Sequence, residues 1–61
     1  MIIKNKLYKG IKTGMIVKAL GDSNGPAFSA QIVEPGNSEY ETLAIGWVSN
    51  TFTTNKFKLI E

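Results

Sequence analysis

The 61-residue sequence contains no cysteine, no histidine and no arginine. Without cysteine there is no disulfide and no thiolate. Without histidine the chain lacks a common metal ligand and the usual base that activates a serine or threonine nucleophile. Lysine would replace that base only if it were buried, and the lysines occupy polar positions. These absences predict a protein that is not an enzyme, with no catalytic residue, no metal site and no cofactor.

Long apolar runs are also missing. No stretch approaches the ~20 residues of a membrane-spanning helix, and lysines interrupt the N-terminal segment, which has no signal-peptide core. We therefore expect no membrane association and a cytoplasmic location. The exclusive use of lysine as the basic residue, with frequent asparagine, is typical of an AT-rich genome such as that of a low-GC bacterium or its phages, so the cytoplasm would be that of the host if a phage encodes the protein.

The sequence alternates with a period of two, and no window shows a helical stripe. Hydrophobic residues make up 43% of the chain, which is enough for one thin core. The predicted strands are residues 2–8, 15–20, 27–33, 40–48, 51–54 and 57–60. Turn-forming residues separate them: a loop at 21–26, a type II turn at 34–37, a turn at 49–50, and a tight turn at 55–56 that would fit one 3₁₀ turn. The predicted core is Val17, Ala19, Phe28, Ile32, Leu43, Ile45, Trp47, Phe57 and Leu59. This pattern predicts a single all-β domain, built as a small antiparallel barrel of five to six short strands or as two orthogonal sheets.

Two parts of the chain resemble a known family. Residues 14–20, a glycine followed by an apolar strand, and Gly46-Trp47 with the closing Phe-Lys-Leu-Ile-Glu of residues 57–61 are similar to small SH3-like proteins of phages and prophages of low-GC bacteria. The resemblance implies an SH3-like barrel over residues 14–61. Residues 1–13 would be a basic arm or strand that either completes the barrel or crosses to a neighbouring subunit. Met15 stands where the family commonly has an acidic residue. Only Trp47 and Asp22 resemble parts of the Pro-rich-peptide site of signalling SH3 domains, so that function is not carried over.

Charge is distributed unevenly along the chain. Residues 1–18 carry a charge of +5 without an acid, and residues 19–61 carry −3. The lysines either form a solvated edge that blocks unwanted strand pairing or steer a partner. The candidate electrostatic or nucleic-acid surface consists of Lys4, Lys6, Tyr8, Lys9 and Lys12, with Lys4, Lys6 and Tyr8 on one strand face. Single-stranded nucleic-acid binding is therefore the alternative function, although the net charge is only +2 and arginine is absent.

Several apolar residues exceed what the core requires. The candidate oligomer or partner surface consists of Ile2, Ile16, Leu20 and Phe52. Together with the charge separation, these residues suit a head-to-tail contact, so we expect a homo-oligomer. The favoured function is a non-enzymatic, phage-type accessory protein that acts through protein–protein contacts with a phage or host protein, as an assembly factor, a chaperone or an inhibitor.

Overall fold

The computed structural model describes residues 1–36 and 45–60. They form five strands, with a 3₁₀ turn (Thr54–Lys56) between the last two. The strands are β1 (Leu7–Gly10), β2 (Ile16–Ala19), β3 (Ala27–Glu34), β4 (Val48–Thr53) and β5 (Phe57–Leu59). All neighbouring pairs are antiparallel and belong to one sheet of order β4-β3-β2-β1-β5. The predicted all-β class is therefore confirmed. Within the described ranges, no helix is long and apolar enough to cross a membrane.

The sheet is strongly curled. Strands β4 and β5 lie at its opposite edges, yet only the 3₁₀ turn joins them along the chain. Three residues of 3₁₀ helix advance the chain by about 6 Å, so the two edges must approach each other. In the part of the chain that the structure describes, no strand pairing links β4 to β5, and the sheet is open. Residues 7–10, from the lysine-rich N-terminal part, form β1 between β2 and β5.

The core fills the concave side of this curl. Val17 of β2 lies opposite Ile32 of β3, and Ala19 lies opposite Ala30. All four side chains are buried, as is Phe28, because alternate residues of a strand point to the same face. The predicted burial of Val17, Ala19, Phe28 and Ile32 is therefore confirmed. Phe57 is half-buried and packs against this cluster together with Phe52.

The predicted strand over residues 2–8 is wrong for its first half. The chain turns at residues 4–5, where Asn5 has a φ of 70°, and Ile2 forms an isolated bridge with Ser23. The turn resets the alternation, so Tyr8 points into the core while Lys4 and Lys6 are exposed. Ile2, predicted to be on a partner surface, and Tyr8, predicted to be on a nucleic-acid surface, are both buried.

The C-terminal half also differs from the prediction. Ile45 and Gly46 form a turn, β4 begins only at Val48, and the predicted turn at 49–50 lies inside β4. Ile45 and Trp47 are consequently exposed. Leu59, also predicted to be in the core, is exposed because β5 is a short edge strand with β1 on one side. Leu43 and most of the predicted strand 40–48 lie outside the described residues, whereas the 3₁₀ turn is confirmed.

Candidate binding groove

A groove of about 620 Å³ runs between β4 and the turn that joins β1 to β2. Its floor is formed by Met15, which directly precedes β2, by Phe52 of β4 and by Phe57 of β5. These side chains also belong to the core or pack against it. The groove is therefore the opening of the curled sheet, where the apolar interior reaches the surface.

One wall of the groove is β4 with the residue before it. Trp47, Ser49, Thr51 and Thr53 line it, and a register shift in the β3–β4 pairing places Ser49 opposite Ala30 and Phe52 opposite Phe28. The hydroxyl oxygens of Ser49 and Thr51 lie 2.7 Å apart, and the Thr51 N–H donates to Ser49 Oγ. Trp47 stands at the end of this wall with 46% of its surface exposed. The wall thus combines an aromatic side chain with a short row of hydroxyl groups.

The opposite wall is held by a network of backbone hydrogen bonds. The Gly10 N–H donates to Met15 O at 2.7 Å, and the Gly14 N–H donates to Gly10 O at 3.0 Å. The Ile11 N–H donates to Lys56 O at 2.9 Å, which fastens this wall to the 3₁₀ turn. Thr13 Oγ1 accepts a hydrogen bond from the Met15 N–H. Because these bonds close the turn on itself, we expect the wall to keep its shape when a ligand binds.

Among the described residues that line the groove, the charged side chains are lysines. Lys12 stands on the β1–β2 turn and Lys56 on the 3₁₀ turn, and both are exposed. Among the described lining residues there is no aspartate or glutamate. In a partly enclosed apolar cleft, two like charges act with less screening than on an open surface. The described lining of the groove therefore combines an apolar surface with positive charge.

The sequence-predicted site residues are dispersed by the fold. Lys12 and Phe52 line the groove, Leu20 is exposed elsewhere, and Ile16 is half-buried on β2. Lys9 lies on the outer side of the sheet, directly opposite Lys58 of β5. Ile2 and Tyr8, one from each predicted surface, are buried in the core and so are not available at a surface.

Lys4 and Lys6 are exposed beside the N-terminal turn. There the Lys4 backbone N–H donates to Asp22 Oδ1 at 2.7 Å. Asp22, the acidic residue that resembles part of a Pro-rich-peptide site, therefore accepts a backbone hydrogen bond at the N-terminal turn and does not line the groove.

Trp47 and Lys56 are two of the groove residues that the sequence does not predict as part of a site. Trp47 was predicted to be core because it fits an alternating apolar pattern. The sequence signal for its exposure is Gly46, since glycine often marks a turn. In the structure Gly46 has a φ of 91° and lies in a turn just before Trp47. The sequence predicts Lys56 only as part of a turn, and nothing in its local sequence places it in the same groove as Lys12.

The described part of the chain contains no group of three or more His, Cys, Asp or Glu side chains that could hold a metal ion. No protein-family model matches the chain, and no curated protein and no solved structure shows detectable similarity to it.

Proposed function

We propose that this protein is a non-enzymatic accessory protein that binds another protein through the groove. One observation carries the proposal: Trp47 stands half-exposed at the rim of an apolar groove whose floor belongs to the core. Tryptophan is enriched among the residues that dominate protein-binding energy, because it removes a large apolar area from water when a partner covers it. The groove also falls within the ~300–1,000 Å³ of typical binding pockets.

We further propose an SH3-like barrel of phage or prophage type, acting in the cytoplasm. The two segments that carry the resemblance support this. Gly14, with a φ of 72°, precedes β2; Gly46-Trp47 precedes β4; and residues 57–59 form the last strand. The short 3₁₀ turn between the two edge strands supports a barrel-like curl.

Affinity capture from a lysate of a low-GC bacterium carrying prophages tests the function. Immobilised wild-type protein should retain a specific partner, and Trp47→Ala should retain at least about tenfold less, because the groove loses its largest apolar contact. Leu59→Ala is the matched control, since Leu59 is 54% exposed on the opposite edge strand. Equal retention by Trp47→Ala and the control would show that the groove is not the contact surface.

Single-stranded nucleic-acid binding is the second candidate, and a specific pairing favours it. Lys9 and Lys58 are directly opposite in the β1–β5 register, an arrangement that costs stability when the charges are alike. Lys12 and Lys56 lie at the same end, where the Ile11 N–H bonds to Lys56 O. A polyanion would relieve this repulsion.

Fluorescence anisotropy with a single-stranded oligonucleotide tests this candidate. Removing Lys9 and Lys58 together should weaken binding and lower the salt dependence by about one unit per lost phosphate contact. Removing Lys4 and Lys6 supplies a control with the same change in charge. No binding at physiological salt would exclude this function.

A further inference from the structure

The two edges of the sheet differ in their capacity to accept another strand. β5 is three residues long and carries Lys58, and short strands with lysine discourage pairing. β4 is six residues long, pairs in the described structure with β3 on one side, and contains neither lysine nor proline. Its sequence, Val-Ser-Asn-Thr-Phe-Thr, is rich in strand-forming residues. The β3–β4 pairing contains one register shift, between Phe28 and Ala30, and β4 forms one wall of the groove.

The groove also selects for charge. Its described charged residues are Lys12 and Lys56, and its floor is apolar. A nucleic acid would match the lysines and stack on Trp47, but it would leave Met15 and Phe52 without apolar contacts. A peptide with both acidic and apolar side chains matches all of these features.

We propose that the ligand of the groove is an extended acidic segment of the partner protein, which pairs with β4 as an additional strand. This inference rests on the proposed function and specifies its ligand. Side chains of an extended peptide alternate, so apolar residues at every second position would lie over Met15, Phe52 and Phe57. The acidic residues between them would be within reach of Lys12 and Lys56. In this mode, backbone hydrogen bonds supply affinity and the alternating side chains supply specificity.

Titration with synthetic peptides tests the charge preference. The probe is an end-capped peptide of about eight residues, close to the usual length of a strand, that alternates leucine with aspartate. The chain has one tryptophan, so the emission of Trp47 reports groove occupancy directly. We expect saturable binding, at least about tenfold weaker when lysine replaces aspartate, and a similar loss in Lys12→Ala/Lys56→Ala. The matched control Lys4→Ala/Lys6→Ala should bind like the wild type.

Backbone methylation of the peptide tests strand addition without altering the protein. In an extended peptide, the N–H groups of alternate residues point to opposite sides. One version is N-methylated at every leucine and the other at every aspartate. Methylation on the side that faces β4 should weaken binding at least about tenfold, while methylation on the other side should change it about twofold or less. Equal affinities of the two versions, whether retained or lost, would overturn strand addition.

The outcomes separate this inference from the proposed function. If the acidic peptide does not bind while Trp47-dependent capture of a protein partner persists, the ligand class is wrong and the proposed function stands. If neither is observed, both are wrong. If a single-stranded oligonucleotide of similar length changes the Trp47 emission saturably and the peptide does not, the groove binds nucleic acid and the inference is overturned.

Discussion

The rings of Phe28 and Phe57 meet edge to face, with their centroids 5.4 Å apart and their planes at 89°. Phe28 belongs to β3 and Phe57 to β5, and two strands separate them in the sheet. The contact therefore spans the interior of the curl. The ring centroid of Phe52 of β4 lies 5.8 Å from that of Phe28 and 5.6 Å from that of Phe57, so the three rings join both edge strands to β3. Phe52 and Phe57 therefore belong both to the floor of the groove and to the aromatic cluster that holds the curl.

Removing the central ring should unfold the protein. Phe28 is buried and contacts three aromatic rings, so we expect Phe28→Ala to cost about 3–5 kcal/mol. A core of this size rarely supplies more than ~3–5 kcal/mol in total. Urea unfolding followed by circular dichroism measures the loss. Phe28→Leu, which keeps more of the volume, should leave a folded population, and a normal melt for Phe28→Ala would show that the cluster does not hold the curl.

Trp47→Ala should leave the fold nearly intact. The alternating pattern around Trp47 predicts a core residue whose truncation would cost ~3–5 kcal/mol, but nearly half of the side chain is exposed. We expect a cost of about 1–2 kcal/mol. A thermal melt compares this variant with Phe28→Ala. A loss as large as that of Phe28→Ala would place Trp47 among the residues required for folding and remove it as a binding anchor.

Alanine substitutions at Gly36 and Gly46 distinguish the energetic cost of backbone strain from that of steric overlap. Both have positive φ, 61° and 91°. A Cβ at Gly36 would lie 2.5 Å from Thr13 O and 2.7 Å from Met15 N, whereas at Gly46 the nearest atom is the Gln31 amide nitrogen at 3.9 Å. Gly46→Ala should cost about 1–3 kcal/mol from strain alone. Gly36→Ala should add about 1–3 kcal/mol of overpacking, and equal unfolding midpoints in urea would contradict this difference.

The N-terminal turn depends on the hydroxyl group of Tyr8. Tyr8 Oη accepts a hydrogen bond from the Ile3 N–H at 2.8 Å, and the neighbouring Ile2 N–H donates to Ser23 O. Tyr8→Phe keeps the buried ring but leaves the Ile3 N–H without its partner, at a cost of about 1 kcal/mol. Amide hydrogen exchange should accelerate at Ile2 and Ile3 and stay unchanged in β3. Unchanged exchange at both residues would show that the hydroxyl does not fix the turn.

The alternation of apolar and polar residues predicts the fold correctly where it matches the strand faces that the sheet buries. From Val17 to Ala19 in β2 and from Phe28 to Ile32 in β3 the alternation is unbroken, and the buried positions Val17, Ala19, Phe28 and Ile32 follow from it. The pattern failed at Asn5 and Gly46, where a positive φ resets which face each later residue occupies. It also failed at Leu59, since nothing local marks a strand as an edge.

The groove was harder to predict than the strands. Its walls come from segments more than 30 residues apart, the β1–β2 turn and β4, and only the curl of the sheet brings them together. Lys12 was singled out for its charge and Phe52 for its apolar side chain. Their proximity to Lys56 and Trp47 depends on the sheet order, which no local pattern contains.

Self-association is the last prediction. Of the four apolar residues proposed for an oligomer surface, Ile2 is buried, Phe52 lines the groove and Ile16 is half-buried, which leaves Leu20 as the exposed member. We expect light scattering at high protein concentration to give a mass above that of the monomer. Leu20→Glu should shift it to the monomer, because a charge in an apolar contact loses its water without a partner. Asn24→Glu, an equal charge change at an exposed loop position, should not.

High salt should weaken the oligomer, since the lysine-rich residues 1–18 and the acidic remainder attract each other. A monomeric mass at every concentration would exclude self-association through Leu20 and leave the groove to a different protein.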